Sequence, residues 1–176
     1  MRRGGTAVLL ALALAAPGCG YALVGKGITS DPSIKRIGVP LFKDRTGKGG
    51  LDQKITARVV EELLKRGRFT VVQETTGVDA IVEGEITSYT TTPVGFTTTG
   101  ATPTQASRYA INVTAKVVYR KIGQKEPIWQ SEMFSYRDEY DMGEDPGTFF
   151  DREDQTIDRI AQAFGKNLVA AMLEAF

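Results

Sequence analysis

The residue types that most often carry covalent chemistry are scarce in this chain. It has no histidine and a single cysteine, Cys19, in 176 residues. Without imidazole, Ser-His-Asp and Cys-His nucleophilic schemes have no general base, and the usual zinc sites lose a principal ligand. One cysteine cannot close a disulfide within the chain. What Cys19 can do is set by the residues before it. Arg2 and Arg3 precede an apolar run over residues 7–16 that leads into Pro17-Gly18-Cys19, which is a secretory signal in charge, length and order. That run is much shorter than the roughly 20 residues a helix needs to cross a bilayer. Small residues ahead of a cysteine fit the cutting site of a lipoprotein signal peptidase, although Ala16 and Pro17 stand where Leu and then Ser or Ala are commoner.

The expected organisation is therefore a bacterial lipoprotein precursor with a signal peptide at 1–18, a lipidated tether at 19–33 and a single domain at 34–176. Acyl chains such as palmitate on Cys19 would hold the protein on a membrane, at about 0.8 kcal/mol per buried methylene, with no spanning segment. Ordinary secretion with a spare thiol is the competing reading. Gly20 occupies the position where Asp favours retention at the inner membrane of many Gram-negative bacteria, so the expected address is the periplasmic side of the outer membrane. The whole chain has 22 basic and 21 acidic residues, and loss of 1–18 removes two arginines and no acid, leaving 20 against 21. Such a balance gives no electrostatic reason to expect a nucleic-acid partner.

Three further patterns have to be weighed for chemistry. Residues 138–154 hold Asp138, Glu139, Asp141, Glu144, Asp145, Asp151, Glu153 and Asp154. Their spacing fits no calcium loop, and acids ahead of a helix are favoured by its dipole without a ligand, so no metal site is expected. Two carboxylates can suffice for glycoside hydrolysis, but acidic clusters are mostly surface, and no catalytic residue is assigned. The loop Lys43-Asp44-Arg45-Thr46-Gly47-Lys48-Gly49-Gly50 resembles a phosphate loop only superficially, lacking a first glycine at position 42 and a Ser or Thr after Lys48; it is read as a flexible turn. Neither an enzyme nor a cofactor is expected.

Periodicity supplies the elements. Residues 34–42 form a β-rich run with Ile37 and Val39 alternating with Arg36 and Gly38. Leu51, Ile55, Val59 and Leu63, widened by Val60 and Leu64, predict an amphipathic helix closed at Gly67. Strands are expected at 68–73, at 79–89 with Ala80, Val82 and Ile86 opposite Glu83 and Glu85, and at 109–120 in strict alternation. The Thr-, Gly- and Pro-rich segment 90–104 is expected to be a long hairpin tip. A last strand at 128–140 changes phase around Trp129 and Met133, which predicts a bulge. Ile157, Ile160, Ala161, Phe164, Leu168, Ala171 and Met172 mark a closing helix. Strand, helix, four strands and helix give an α+β fold: two amphipathic helices packed on one face of a mainly antiparallel four- to five-stranded sheet.

In this order the residues resemble a known family. Cys19-Gly20-Tyr21 with Leu23 and Gly25, Ile37-Gly38-Val39-Pro40 with Phe42, Leu63-Leu64, Gly67-Arg68-Phe69, the run from Val78 through Asp79-Ala80 to Gly84 and Ile86, Tyr109, and Ile128-Trp129 are similar to the LptE lipopolysaccharide-assembly lipoproteins. Val78 stands where that family usually has Ala. The resemblance implies an outer-membrane lipoprotein that partners and plugs the β-barrel LptD during lipopolysaccharide transport, with segment 90–104 as a natural piece to thread into the barrel. It also implies lipopolysaccharide contact through basic residues. Arg108 and Arg152 are the nearest candidates, with Lys116 and Arg120 on the wet face of the same strand as Arg108. Ordinary exposed charge is the competing reading for all four. Two alternatives stay open: a curli-type secretion-channel subunit, which would form a ring, and a periplasmic lipoprotein that binds a small ligand or an envelope protein.

Overall fold

The computed structural model of the protein describes residues 31–97, 105–142 and 149–174. In chain order the elements are β1 (Arg36–Gly38), β2 (Lys43–Asp44), α1 (Leu51–Lys65), β3 (Thr70–Val72), β4 (Ala80–Thr97), β5 (Gln105–Lys121), β6 (Trp129–Asp141) and α2 (Phe149–Glu174). The strands make one six-stranded sheet in the order β3-β1-β4-β5-β6, with β2 also against β4. The long pairs β4–β5 and β5–β6 are antiparallel, while the short contacts of β1 with β3 and β4, and of β2 with β4, are parallel. Both helices cover one face. The fold is the expected α+β arrangement, with six strands in place of four to five.

The apolar stripes account for this packing. Leu51, Ile55, Val59 and Leu63 of α1 meet Ile157, Ile160, Phe164, Leu168 and Met172 of α2 and the inward residues of β4 and β5 in one core. Leu64, the outer margin of the predicted stripe, is 51 % exposed. The two helices run side by side in the same direction, since Lys54 pairs with Asp154 and Asp158 at one end and Arg66 with Glu174 at the other. They touch closely at Gly165, where a Cβ would lie 2.9 Å from the backbone carbon of Arg58. Gly67, at φ 67°, ends α1 by donating its N–H to Leu64 O at 2.9 Å.

Three details depart from sequence periodicity. The expected first strand, 34–42, is split. Pro40 has no N–H to give a ladder, and Phe42 turns inward, its buried amide bonded to Thr56 Oγ1 of α1 at 3.0 Å. The phosphate-loop-like turn starts as strand β2, and Thr46 N–H and Oγ1–H both bond the Asp44 carboxylate at 2.7 Å. The Thr-rich segment continues β4 to Thr97, paired with Gln105, and the remainder of the expected tip, 98–104, is outside the described residues. Threonine's β-branch suits a pleated strand, and Pro93 falls beyond Ile86, where β4 has no second strand beside it among the described residues. The phase change in β6 is a bulge opposite Lys116, where the register shifts between Ala115 and Val117.

Candidate partner-binding surface

With helices on one face, the sheet's other face is left to solvent, and alternation along β5 places Arg108, Asn112, Thr114, Lys116 and Arg120 there. Ser135, Arg137, Glu139 and Asp141 of β6 lie beside them through the pairs Thr114↔Ser135, Asn112↔Arg137, Ala110↔Glu139 and Arg108↔Asp141. The surface is mainly hydrophilic: Thr114 Oγ1 and Ser135 Oγ are 2.9 Å apart and charges occupy both ends of the strand, with Leu41 and Val118 as apolar side chains beside Lys116.

The four predicted basic residues fall into separate places. Arg108 and Arg152 do converge, on Asp141: Arg108 Nε donates to its carboxylate at 2.7 Å, and Arg152 Nη1 donates to its backbone carbonyl at 3.3 Å. The bond to Asp141 raises the pKa of Arg108 above the ordinary guanidinium value. Lys116 pairs with Glu132 at 2.8 Å and Arg120 with Glu83 at 3.1 Å, further down the sheet. Arg108 and Lys116 stand eight positions apart along β5, about 26 Å, so the four cannot grip one headgroup. Such exposed pairs contribute little to stability, about 0–1 kcal/mol each, and remain available for exchange with a ligand anion.

Five acids of the acid-rich stretch, Asp138, Glu139, Asp141, Glu153 and Asp154, form ion pairs. Asp138 bonds Arg159 at 2.7 Å, Glu139 bonds Arg137 at 2.8 Å, and Asp154 bonds Lys54. Glu153 receives the Tyr89 hydroxyl at 2.6 Å and Lys48 Nζ at 3.0 Å. Burial, then the bond to that carboxylate, pushes the Tyr89 phenol well above its usual value. Among the described residues no three His, Cys, Asp or Glu side chains gather as metal ligands. Glu144 and Asp145 lie outside the described residues, as does Cys19.

Sequence periodicity missed an aromatic cluster at the hairpin end of the sheet. Tyr109 and Tyr140 stack at 5.8 Å, and Phe149 meets Tyr109 edge-on at 5.9 Å and lies 5.3 Å from Phe150. Phe150 is 73 % exposed and Phe96 59 %. Arg108 is beside them, its Cβ only 2.9 Å from where a Cβ on Gly95 would be. The one available signal was the doublet Phe149-Phe150 inside an acidic stretch. One end of the molecule thus presents exposed aromatics next to two guanidinium groups, chemistry suited to an anionic amphiphile.

An α+β domain with two helices on a six-stranded sheet, long antiparallel strands and no helix among the described residues able to span a bilayer is the class that this architecture defines. Residues 34–172 match the sequence model of the LptE lipopolysaccharide-assembly family, and the chain belongs to that family. At that level it is a lipopolysaccharide-assembly protein of the cell envelope. Among solved structures it is similar to a hypothetical protein from Chlamydia trachomatis, at 11 % identity and TM-score 0.52, over 82 % of this chain and 100 % of that one. A protein from Xanthomonas campestris is similar at 8 % identity and TM-score 0.52, over 81 % of this chain and 85 % of that one. These identities support a shared fold and nothing finer. No curated protein matches the sequence.

Proposed function

We propose that this protein is an outer-membrane lipoprotein, acylated at Cys19, that partners and plugs the β-barrel LptD and helps lipopolysaccharide reach the outer leaflet. It acts as a binding and structural partner without catalytic turnover. The observation that carries this reading is the family match over 34–172, which takes in all six strands, α1 and α2 up to Met172. The physical form agrees with it: a barrel lumen is polar, and a domain with an open, largely polar sheet face is a suitable filling. Copurification from solubilised outer membranes tests the partnership. Recovery of a large β-barrel with the tagged lipoprotein is expected, and its absence returns the curli-type ring and the periplasmic binding lipoprotein to consideration, separable by the mass of the purified assembly. Deleting 98–104 is expected to weaken that copurification; undiminished recovery would remove the hairpin end from the barrel contact.

Lipopolysaccharide contact is assigned to the hairpin end, through Arg108 and Arg152 beside Phe96 and Phe150. Lys116 and Arg120 are too far down the sheet to share the same headgroup. Arg108→Glu with Arg152→Glu is expected to reduce lipopolysaccharide binding at least several-fold, and unchanged binding would dispose of the assignment.

A further inference from the structure

The end of the sheet opposite the hairpin has its own character. There β1, β3, β4 and β6 begin and β5 ends. The chain enters at this corner and is fastened to it. The Asp31 carboxylate accepts from Lys121 Nζ and, at 2.9 Å, from Ser33 N–H; Lys121 also reaches Ser33 Oγ at 2.8 Å. The Lys121 and Ser33 bonds hold the Asp31 carboxyl well below the usual carboxylate range. The Asp79 carboxylate accepts the amides of Lys35 and Arg36 at 2.9 and 2.8 Å, and the Asp79 carbonyl accepts Ile122 N–H at 2.8 Å. Asp31 is thereby paired with a lysine, while Asp79, held by backbone amides, keeps its negative charge near Lys35 and Lys121.

The cations that remain point outward. Lys35, Arg36 and Lys125 are exposed and form no ion pair among the described residues, with Glu126 as the exposed acid in the same turn as Lys125. Ile122, in that turn, is 43 % exposed. Alongside, an open groove of about 590 Å³ is lined by Lys35 and Arg68, by the lysine-paired Asp31, and by Pro32, Ile34, Phe69 and Thr70. Cationic side chains around exposed apolar carbon form a surface complementary to anionic phospholipid headgroups.

Chain length keeps this end close to a membrane. Cys19 and Asp31 are 12 residues apart, so whatever path the intervening chain takes, its span cannot exceed about 40 Å. β4 alone, with 18 residues, is about 55 Å long. An acyl chain on Cys19 therefore constrains the Asp31 corner directly and the hairpin end hardly at all. We infer that, in the lipoprotein not held by a partner, the corner bearing Lys35, Arg36, Lys125 and Ile122 rests on the anionic phospholipid surface in which Cys19 is anchored, with the hairpin end directed away. This inference rests on acylation of Cys19 under the reading above.

Trp129, the only tryptophan, opens β6 at this same corner, opposite Tyr119. Energy transfer from it to dansyl-labelled headgroups reports the distance of the corner from a vesicle. The mature full-length lipoprotein is reconstituted on phosphatidylglycerol vesicles and on phosphatidylcholine vesicles, with flotation as a separate measure of anchoring. Transfer is expected to be strong on phosphatidylglycerol and to fall towards the phosphatidylcholine value in about 1 M salt, where the Debye length shrinks to about 3 Å. The variant Lys35→Gln/Arg36→Gln/Lys125→Gln is expected to show the same fall in low salt while floating as the parent does. Equal transfer on both lipids, or transfer indifferent to salt in the parent, overturns the surface contact whatever the variant does. Should the purified chain carry no acyl group, coupling its only thiol to a maleimide phospholipid supplies the anchor, so failed acylation and failed surface contact are read separately.

Discussion

A methyl group at Gly84 would have to occupy the space of the Phe42 ring, because an ideal Cβ there lies 2.2 Å from both Cδ2 and Cε2. Phe42 is 2 % exposed, its amide is held by Thr56, and it fills the core where β1 and β2 part along β4. The ring cannot swing to solvent, so Gly84→Ala is an overpacking change and is expected to destabilise by about 1–3 kcal/mol. For a chain of this length that lowers the thermal midpoint by roughly 2–12 °C. Phe42→Ala alone is expected to cost about 3–5 kcal/mol through lost contacts and a cavity. In that background the obstacle is gone, and Gly84 is not a positive-φ glycine. Alanine then restricts the unfolded chain at no steric cost, so Gly84→Ala should become neutral or stabilising by about 0.4–1 kcal/mol. Urea denaturation of the four proteins, followed by far-ultraviolet circular dichroism, gives the coupling energy, expected to be about 1–4 kcal/mol. Effects that add to within about 0.5 kcal/mol would refute the claim that the Phe42 ring is what excludes a side chain at position 84.

Thr56→Val removes the acceptor for the buried Phe42 N–H and is expected to cost about 1–3 kcal/mol in the same denaturation assay, with no gain from valine's equal volume. Burial pushes the phenols of Tyr119 and Tyr140 up to about 12 from 10.0, and neither hydroxyl has a hydrogen-bond partner among the described residues. Between pH 10 and 12 the unfolded chain therefore loses those protons before the folded one, so stability present below pH 10 should decline across that window. Tyr119→Phe with Tyr140→Phe should flatten the decline without loss at neutral pH; an unchanged pH profile would count against it. Asp79 has a lowered pKa because its carboxylate accepts the Arg36 and Lys35 amides, so its contribution is present above the ordinary value of 3.8 and lost as pH falls below it. Asp79→Asn should remove part of that acid-side dependence in urea titrations; an unaltered profile would mean that these amide bonds do not stabilise the folded state.

Helix positions were legible because a 3.6-residue stripe records burial directly: Leu51, Ile55, Val59 and Leu63 are each 0–1 % exposed. The same holds for Ile111, Val113, Ala115, Val117 and Tyr119 in β5, and for the β6 bulge, since adding one residue to a strand visibly shifts its alternation. Long antiparallel strands joined by a short link pair with near neighbours, so their partnership was also readable. The pairing of 36–38 with both 70–72 and 80–81 was not, because alternation within a three-residue strand does not say which strands lie beside it, and the crossover of α1 selects them. Segment 90–97 looked like a loop by composition; the ladder offered by β5 made it a strand.

Sequence by itself determined the two helices, the inward faces of the long strands, the signal-like N-terminus with its sole thiol, and the candidate basic residues, since each is a local property of residue type and spacing. Only the tertiary structure decided that Arg108 and Arg152 meet at Asp141 while Lys116 and Arg120 do not join them. It alone turned Asp138, Glu139, Asp141, Glu153 and Asp154 into ion-pair partners, gathered aromatics from β5, β6 and α2 at one end, and left Lys35, Arg36 and Lys125 without an ion pair among the described residues at the other. Those outcomes depend on distances between residues far apart in the chain, which no local period encodes and which packing of the two helices against one sheet face fixes.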